Sequence, residues 1–261
     1  PVGVDDQSSG KIETFVLGPK AFFAAETYVL ALFQLYPTVY FHKATLAAEK
    51  LFTVLMLRIV QLARDGQFDR TGLSADHPII CFAEMPDSLE HALSLDDSVF
   101  WGALPTMATA KDEQIREIAL QLKDRRLPKC IDIRNQLLSA VPLSRNSSQE
   151  ERDLAKKRLE RLTASIEDRL KQWAGENSKG MPRILTDRTA RDPYKRFQES
   201  KGPLNQIHIR ASDGKIFDVA ESSSVIAGIE SFEVFRAYVN ETDSEAKEAI
   251  ASIIKEELGR N

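Results

Sequence analysis

Four residues within one short stretch have the chemistry to hold a phosphorylated ligand. In "LYPTVYFHKATLAAEK", residues 35–50, Tyr36, Tyr40, His42 and Lys43 crowd together ahead of an apolar run, "LFTVLMLRIVQLA". Phenol rings offer stacking and hydrogen bonds, imidazole can donate or accept, and the lysine ammonium supplies charge. On one continuous helix Tyr36, Tyr40 and Lys43 stand at i, i+4 and i+7 and share a face, with His42 on a neighbouring face. The same spacing also suits plain packing, in which the tyrosines are buried and the Lys43 stem runs out to solvent. Spacing alone favours packing, because so short a motif has little specificity.

Pattern sets other chemistries aside. The chain has no GxxxxGK[ST] phosphate cradle, no GxGxxG, no GxSxG nucleophile elbow and no HExxH. Its four histidines, His42, His77, His91 and His208, never lie three or four residues apart, so a compact local metal motif is not expected. Cys81 and Cys130 are too far apart for a CxxC site and too few for a disulfide framework, which makes a reducing cytoplasm the expected setting. Carboxylate pairs such as Asp5-Asp6 and Asp96-Asp97 are unspecific, and Asp96 reads as a helix start rather than a general base.

The elements that must position these residues follow from periodicity. "KIETFVLG" alternates as a strand and stops at Gly18-Pro19. Phe22, Ala25, Val29, Leu32 and Phe33 then share one helical face. Pro37 removes a backbone donor and should kink or restart the helix, with a second helix from Thr38 to about Arg64. Residues 67–87 read as a connection, followed by short helices in "SLEHAL", "DDSVFWGAL" and "KDEQIREIALQLKDR". Ser94 or Asp96 could cap the second of these, and Thr109 the third. "LPKCIDI" reads as a strand. A long charged helix opens with a Ser148-x-x-Glu151 capping box. The tail alternates: a strand at "RILT", a hairpin around Asp213-Gly214, a short helix, the strand "FEVFRAYV" and a closing amphipathic helix. The expected class is α+β, with a mainly helical region over 1–128 and a smaller α+β lobe over 129–261.

Composition bounds the partners. The chain has 261 residues and a formal net charge of −4, which argues against a protein built to coat nucleic acid. The most apolar stretch, residues 51–63, is interrupted by Arg58 and is too short to span a bilayer, and the N-terminus does not read as a signal peptide.

"Y-x-x-V-Y-x-H-K-x-x-x-x-A-E", formed here by Tyr36, Val39, Tyr40, His42, Lys43, Ala48 and Glu49, resembles the helix that follows the catalytic core in HD-domain phosphohydrolases. The resemblance is closest to the group of the SAM-and-HD-domain dNTP triphosphohydrolase and its bacterial relatives. "LDDSVFWGAL", "RDPYKRF", "QIHIRASDG" and "FEVFRAYV" are weakly similar to later parts of that family, so the resemblance runs over most of the chain.

What the resemblance implies is specific. Family members hydrolyse nucleoside triphosphates or other phosphate esters with a divalent metal held by a His…His-Asp…Asp set that precedes this helix. Here no histidine precedes His42 and no His-Asp dipeptide occurs, so the metal would come only with an upstream HD motif, and no catalytic or metal residue is assigned to this chain. Tyr36, Tyr40, His42 and Lys43 are implied walls of a substrate or phosphate pocket. Lys20 and Arg210 are implied contacts for an effector nucleotide. Leu32 stands where the family often has an arginine, which removes one phosphate contact. Homo-oligomers with a nucleotide or phosphate-ester ligand are implied partners. The expectation is therefore the C-terminal part of an HD-type phosphohydrolase. The alternative is a non-catalytic nucleotide-sensing or assembly module derived from the same fold.

Overall fold

The computed structural model describes residues 2–6, 10–142, 147–178, 180–195 and 205–260. The class is α+β with a helical first half. Two compact units are each assembled from separate stretches of chain: unit 1 from Pro1–His42 and Arg188–Val234, unit 2 from Lys43–Asp187 and Phe235–Asn261.

Unit 1 opens with the antiparallel strands β1 (Val2–Asp6) and β2 (Gly10–Thr14), where only one strand was expected. The two-residue strand β3 (Val16–Leu17) runs parallel to β6 (His208–Arg210), with Val16 opposite His208 and Leu17 opposite Ile209. β6 returns through the expected hairpin to β7 (Ile216–Asp218). Gly214 sits at φ +85 in that turn, a conformation that favours glycine, and the Asp213 carboxylate accepts from the Lys215 N–H at 3.0 Å. The helix α1 (Phe22–Leu35) buries Ala25 and Val29 against Ile209 of β6, Val219 of α9 (Val219–Ser222) and Ile226 of α10 (Ser224–Ala227). Burial of these aliphatic groups holds the small unit together. Tyr194 ties its loops: its hydroxyl donates to Asp218 at 2.5 Å and accepts from the Ile207 N–H at 2.8 Å. Burial, then the bond to Asp218, pushes the Tyr194 phenol well above its ordinary range, so it stays protonated.

Unit 2 is organised by α2 (Lys43–Arg64), which buries Leu51, Leu55, Ile59 and Leu62 along one stripe. That stripe packs on α3 (Pro78–Glu84), α5 (Asp97–Met107) and α6 (Glu113–Lys123) through Ile79, Ile80, Met107, Ile115 and Ile118. The short helix α4 (Leu89–Leu93) joins α3 to α5. α3 lies where a connection was expected. Its N-cap is His77, whose Nδ1 accepts from the Ile79 N–H at 3.2 Å, so that histidine serves the backbone. Burial lowers its pKa against the opposing pull of Asp76, which favours the neutral acceptor form. Asp96 caps α5, accepting from Val99 N–H at 2.8 Å, whereas α6 is capped by Asp112 and not by Thr109.

A second apolar cluster begins after β4 (Lys129–Asp132). Ile133 and Leu137 of α7 (Ile133–Ala140) meet Leu162, Ile166 and Leu170 of α8 (Gln149–Glu176) and Ile250 and Ile254 of α11 (Ser244–Gly259). β4 pairs antiparallel with β8 (Phe232–Val239), and β8 lies between β4 and β5 (Ile184–Arg191) in a three-stranded sheet. The Ser148 capping box forms as expected, with Ser148 N–H to Glu151 Oε2 at 2.7 Å and Glu151 N–H to Ser148 Oγ at 3.2 Å. Among the described residues no helix is long and apolar enough to cross a membrane.

One ion cluster ties α2 to α6. Arg58 donates to Asp112 Oδ2 through Nη2 at 2.6 Å and Nε at 3.2 Å, and Arg70 Nη2 lies 3.5 Å from the same oxygen. Asp112 Oδ1 accepts from the Ile115 N–H at 3.2 Å. Burial works to raise the Asp112 pKa. The Arg58 bond, the Ile115 amide and the two guanidinium charges outweigh it, so the carboxyl is held below the usual carboxylate range.

Asp112→Ala removes a helix cap and leaves Arg58 without its acid, and should cost about 2–4 kcal/mol at pH 7 in urea denaturation. A depressed folded pKa means the contribution is present above the unfolded aspartate pKa, about 3.9, and is lost as pH falls through the lower folded value. The gap between wild type and variant should therefore narrow toward pH 2. An equal gap at both pH values would contradict this account.

Candidate functional site

The chain between α1 and α2 is not the continuous helix that the i, i+4, i+7 argument needs. Residues Tyr36–Tyr40 form one π turn, closed by the Phe41 N–H reaching back to Tyr36 O at 2.7 Å. Pro37 is the cause, since it has no N–H to give to the carbonyl of Phe33 four residues back. The Tyr36 N–H takes that carbonyl instead. Thr38 Oγ1 donates to Gln34 O at 2.7 Å, a further local bond across the turn. The backbone then leaves helical geometry at Phe41, with φ −109 and ψ 26, and α2 starts afresh at Lys43 rather than Thr38.

This break sorts the expected site residues. Tyr36 and Tyr40 are brought together, their rings 5.6 Å apart and tilted by 48°. Tyr36 also stacks on Phe41 at 5.7 Å, and Phe41 stacks on Phe232 at 5.4 Å with an interplanar angle of 11°. Phe41 is buried, Tyr36 half-buried and Tyr40 53% exposed. The result is a column of four rings in unit 1 whose inner members pack and whose outer member, Tyr40, presents a ring to solvent. Such offset rings contribute about 0.5–1.5 kcal/mol per pair beyond their area.

His42 is the last residue of unit 1 and is exposed; Lys43 is the first of unit 2 and exposed too. Lys43 opens a 22-residue helix whose first turn holds no acidic residue. A cation there opposes the helix dipole, at a cost of about 0.3–1 kcal/mol, and adds its charge to an end that already attracts anions. Lys20 lies in the exposed 3₁₀ turn Pro19–Ala21, directly after β3. Arg210 ends β6, the strand that pairs with β3, and is exposed. Lys20 and Arg210 therefore belong to neighbouring elements of unit 1.

The sequence reading missed several contributors. Phe41 and Phe232 hold the tyrosine column, and no local signal in the sequence pairs them. In unit 2, an open groove of about 770 Å³ is lined by Val54, Leu57, Arg58, Gln61, Arg70 and Asp112 among others. Arg58, Arg70 and Asp112 of this lining are committed to one another in one ion cluster. Arg58 had appeared only as an interruption of an apolar run; a lone arginine in such a run must find an acid. Lys50 likewise reaches the buried Asp187 at 2.8 Å. Among the described residues no group of three His, Cys, Asp or Glu side chains is placed to hold a metal ion.

No family model matches the chain, and no curated protein matches it. Among solved structures it is similar to a phosphohydrolase from Bacteroides thetaiotaomicron VPI-5482, with a TM-score of 0.56 and 21% identity over 86% of this chain and 51% of that one. A hypothetical protein from Aquifex aeolicus matches with a TM-score of 0.48 and 16% identity over 91% of this chain and 47% of that one. At 21% identity the likeness to the Bacteroides protein is one of fold. The chain spans about half the length of these two structures.

The column makes a testable distinction between its inner and outer rings. Phe41→Ala should cost about 3–5 kcal/mol, because it opens a cavity between Tyr36 and Phe232. Tyr40→Ala should cost less than about 1 kcal/mol, because half of that side chain is already in water. Urea denaturation of both variants checks the pair; equal losses would mean that Tyr40 is as much a packing residue as Phe41.

Proposed function

We propose that the chain is the C-terminal part of an HD-type phosphohydrolase acting on (deoxy)nucleotides or related phosphate esters. In this reading it supplies pocket walls and assembly contacts, and the metal-bearing wall belongs to another part of the protein. Tyr40 offers an open ring face and a hydroxyl to a sugar or base. Lys43 offers charge at a helix N-terminus to a phosphate, with His42 beside it in sequence. Tyr36 acts through Tyr40, as the ring behind it. Lys20 and Arg210 would serve an effector nucleotide from their neighbouring elements in unit 1.

The observation that carries the reading is the π turn followed at once by a lysine-headed helix. The turn exposes Tyr40 while burying Phe41, and a lysine at the first helical position is a local cost that an anion would offset. The fold likeness to a phosphohydrolase and the sequence resemblance support the same direction. Phosphoester hydrolysis at neutral pH is served by a metal that activates water and holds the phosphoryl oxygens. Tyrosine and lysine can position a substrate and stabilise charge, which is the part these residues would play.

Thermal shift with deoxynucleoside and guanosine triphosphates tests binding. A ligand present at 100 times its Kd stabilises by about 2.7 kcal/mol, and Lys43→Ala should weaken binding about tenfold with the unliganded Tm unchanged. No stabilisation by any nucleotide at millimolar concentration would overturn the reading. The 261-residue chain should release neither phosphate nor triphosphate above background with Mg²⁺ or Mn²⁺. Turnover by this chain would show that the catalytic set lies within it.

A further inference from the structure

The three-stranded sheet of unit 2 has two unlike faces. On one, Ile131, Ile184, Phe235, Ala237 and Val239 join the apolar cluster with α7, α8 and α11. Strand alternation puts Cys130 and Asp132 of β4, Arg236 and Tyr238 of β8, and Leu185 and Asp187 of β5 on the other. In the antiparallel register Cys130 lies opposite Tyr238, and Asp132 opposite Arg236. α2 covers this second face: Leu185 packs against the cluster built on its apolar stripe, and Lys50 reaches Asp187 at 2.8 Å. Lys43 stands seven positions before Lys50, nearly two turns, and so on the same side of the helix. Its charge, with that of Arg236, acts on the Cys130 thiol.

This polar layer grades from water to interior. Lys43 is exposed, Asp132 and Arg236 keep 35% and 13% of their side-chain surface, and Tyr238 is 1% exposed. Three cations, Lys43, Lys50 and Arg236, stand against two acids, Asp132 and Asp187, so these five groups sum to one positive charge. Arg236 Nε lies 3.7 Å from Asp132 Oδ2, close enough for charge pairing and too long for a hydrogen bond. Tyr238 forms the floor. Its hydroxyl finds no hydrogen-bond partner among the described residues, although Arg236 and Cys130 stand near it. Burial pushes the phenol well above its ordinary range, so it is a neutral donor. A buried tyrosine hydroxyl usually has a partner, and one without it is a cost to the fold.

We infer that Arg236 and Tyr238 complete the phosphate subsite headed by Lys43, so that the phosphoryl end of the ligand points inward between α2 and β8. The inference rests on the reading of Lys43 as a phosphate contact, and adds the depth and direction of the site. Lysine at the mouth, guanidinium midway and phenol on the floor are all donors, and together they suit an anion with several oxygens. A guanidinium carries five N–H donors in a planar fork and can grip a phosphate by two oxygens. The pairing with Asp132 is loose enough to yield to that grip, and the Asp132 carboxylate, a third exposed, is then served by water. The Tyr238 hydroxyl would gain in the complex the partner that it lacks in the free protein.

Titration calorimetry with dATP, deoxyadenosine and inorganic tripolyphosphate, on wild type, Arg236→Lys and Tyr238→Phe, tests this. Arg236→Lys keeps the charge and loses the fork. It should weaken dATP and tripolyphosphate about tenfold and leave deoxyadenosine unchanged. Tyr238→Phe should weaken both phosphorylated probes about threefold or more, and raise the unliganded Tm by roughly 2 °C, because it deletes a hydroxyl that has no partner. A fall in Tm with unchanged affinity would make Tyr238 a structural residue and overturn the inference. So would dATP binding that Lys43→Ala weakens and neither of these variants does, which would leave the proposed function standing. Tripolyphosphate binding that depends on Arg236 and Tyr238, without binding of dATP, would keep the subsite and remove the nucleotide reading. Binding of neither phosphorylated probe to wild type would overturn both.

Discussion

Proline at position 37 sets the geometry on which the candidate site depends. Its ring leaves the Phe33 carbonyl without the usual donor four residues on, and the chain answers with one wide turn. That turn does three things at once. It places Tyr36 and Tyr40 ring against ring. It swings Phe41 inward onto Phe232. It also breaks the helix, so that α2 begins at Lys43. A straight helix through the same residues would put Tyr36, Tyr40 and Lys43 on one stripe, where packing would be the natural fate of all three. The break separates an inner, packed set of rings from an outer ring and a lysine that remain accessible.

The interior charges of unit 2 show what the fold does with groups it cannot leave unpaired. Arg58 meets Asp112 and Lys50 meets Asp187, and both acids are buried. Such pairs add little net stability over apolar replacements, yet losing one member is costly, so they fix which helices and strands can meet. Asp112 combines this with a cap on α6, and one carboxylate thereby settles both the start of a helix and its partner. α1 is the opposite case. Its one carboxylate accepts from Ser223 within unit 1, and its exposed side carries no charged residue.

Local signals were the legible ones. Ser148-x-x-Glu151, Asp213-Gly214 and Asp96 act within a few residues of themselves, and each forms in the structure as its sequence suggests. α3 escaped notice because it is seven residues long and its cap is a histidine, a residue used more often for other purposes. The start of α2 was misplaced because a proline after a helix is compatible with a kink, a restart or a π turn. Which of these occurs depends on where Tyr36 and Phe41 find ring partners, and Phe232 is far away in sequence. The Arg58–Asp112 pair spans 54 residues and has no local signature beyond an arginine in an apolar run. The candidate site was thus legible as a set of residue types, while the division between packing and accessible rings was set by tertiary contacts.

The central proposal is that Lys43, at the head of α2, receives the phosphate groups of a nucleotide ligand. Isothermal titration calorimetry with a deoxynucleoside and with its triphosphate, on wild type and Lys43→Ala, tests it most directly. The account predicts that the triphosphate binds at least tenfold more tightly than the nucleoside to wild type, and that Lys43→Ala removes most of that advantage. Equal affinity for the two ligands, or an advantage that survives Lys43→Ala intact, would contradict it.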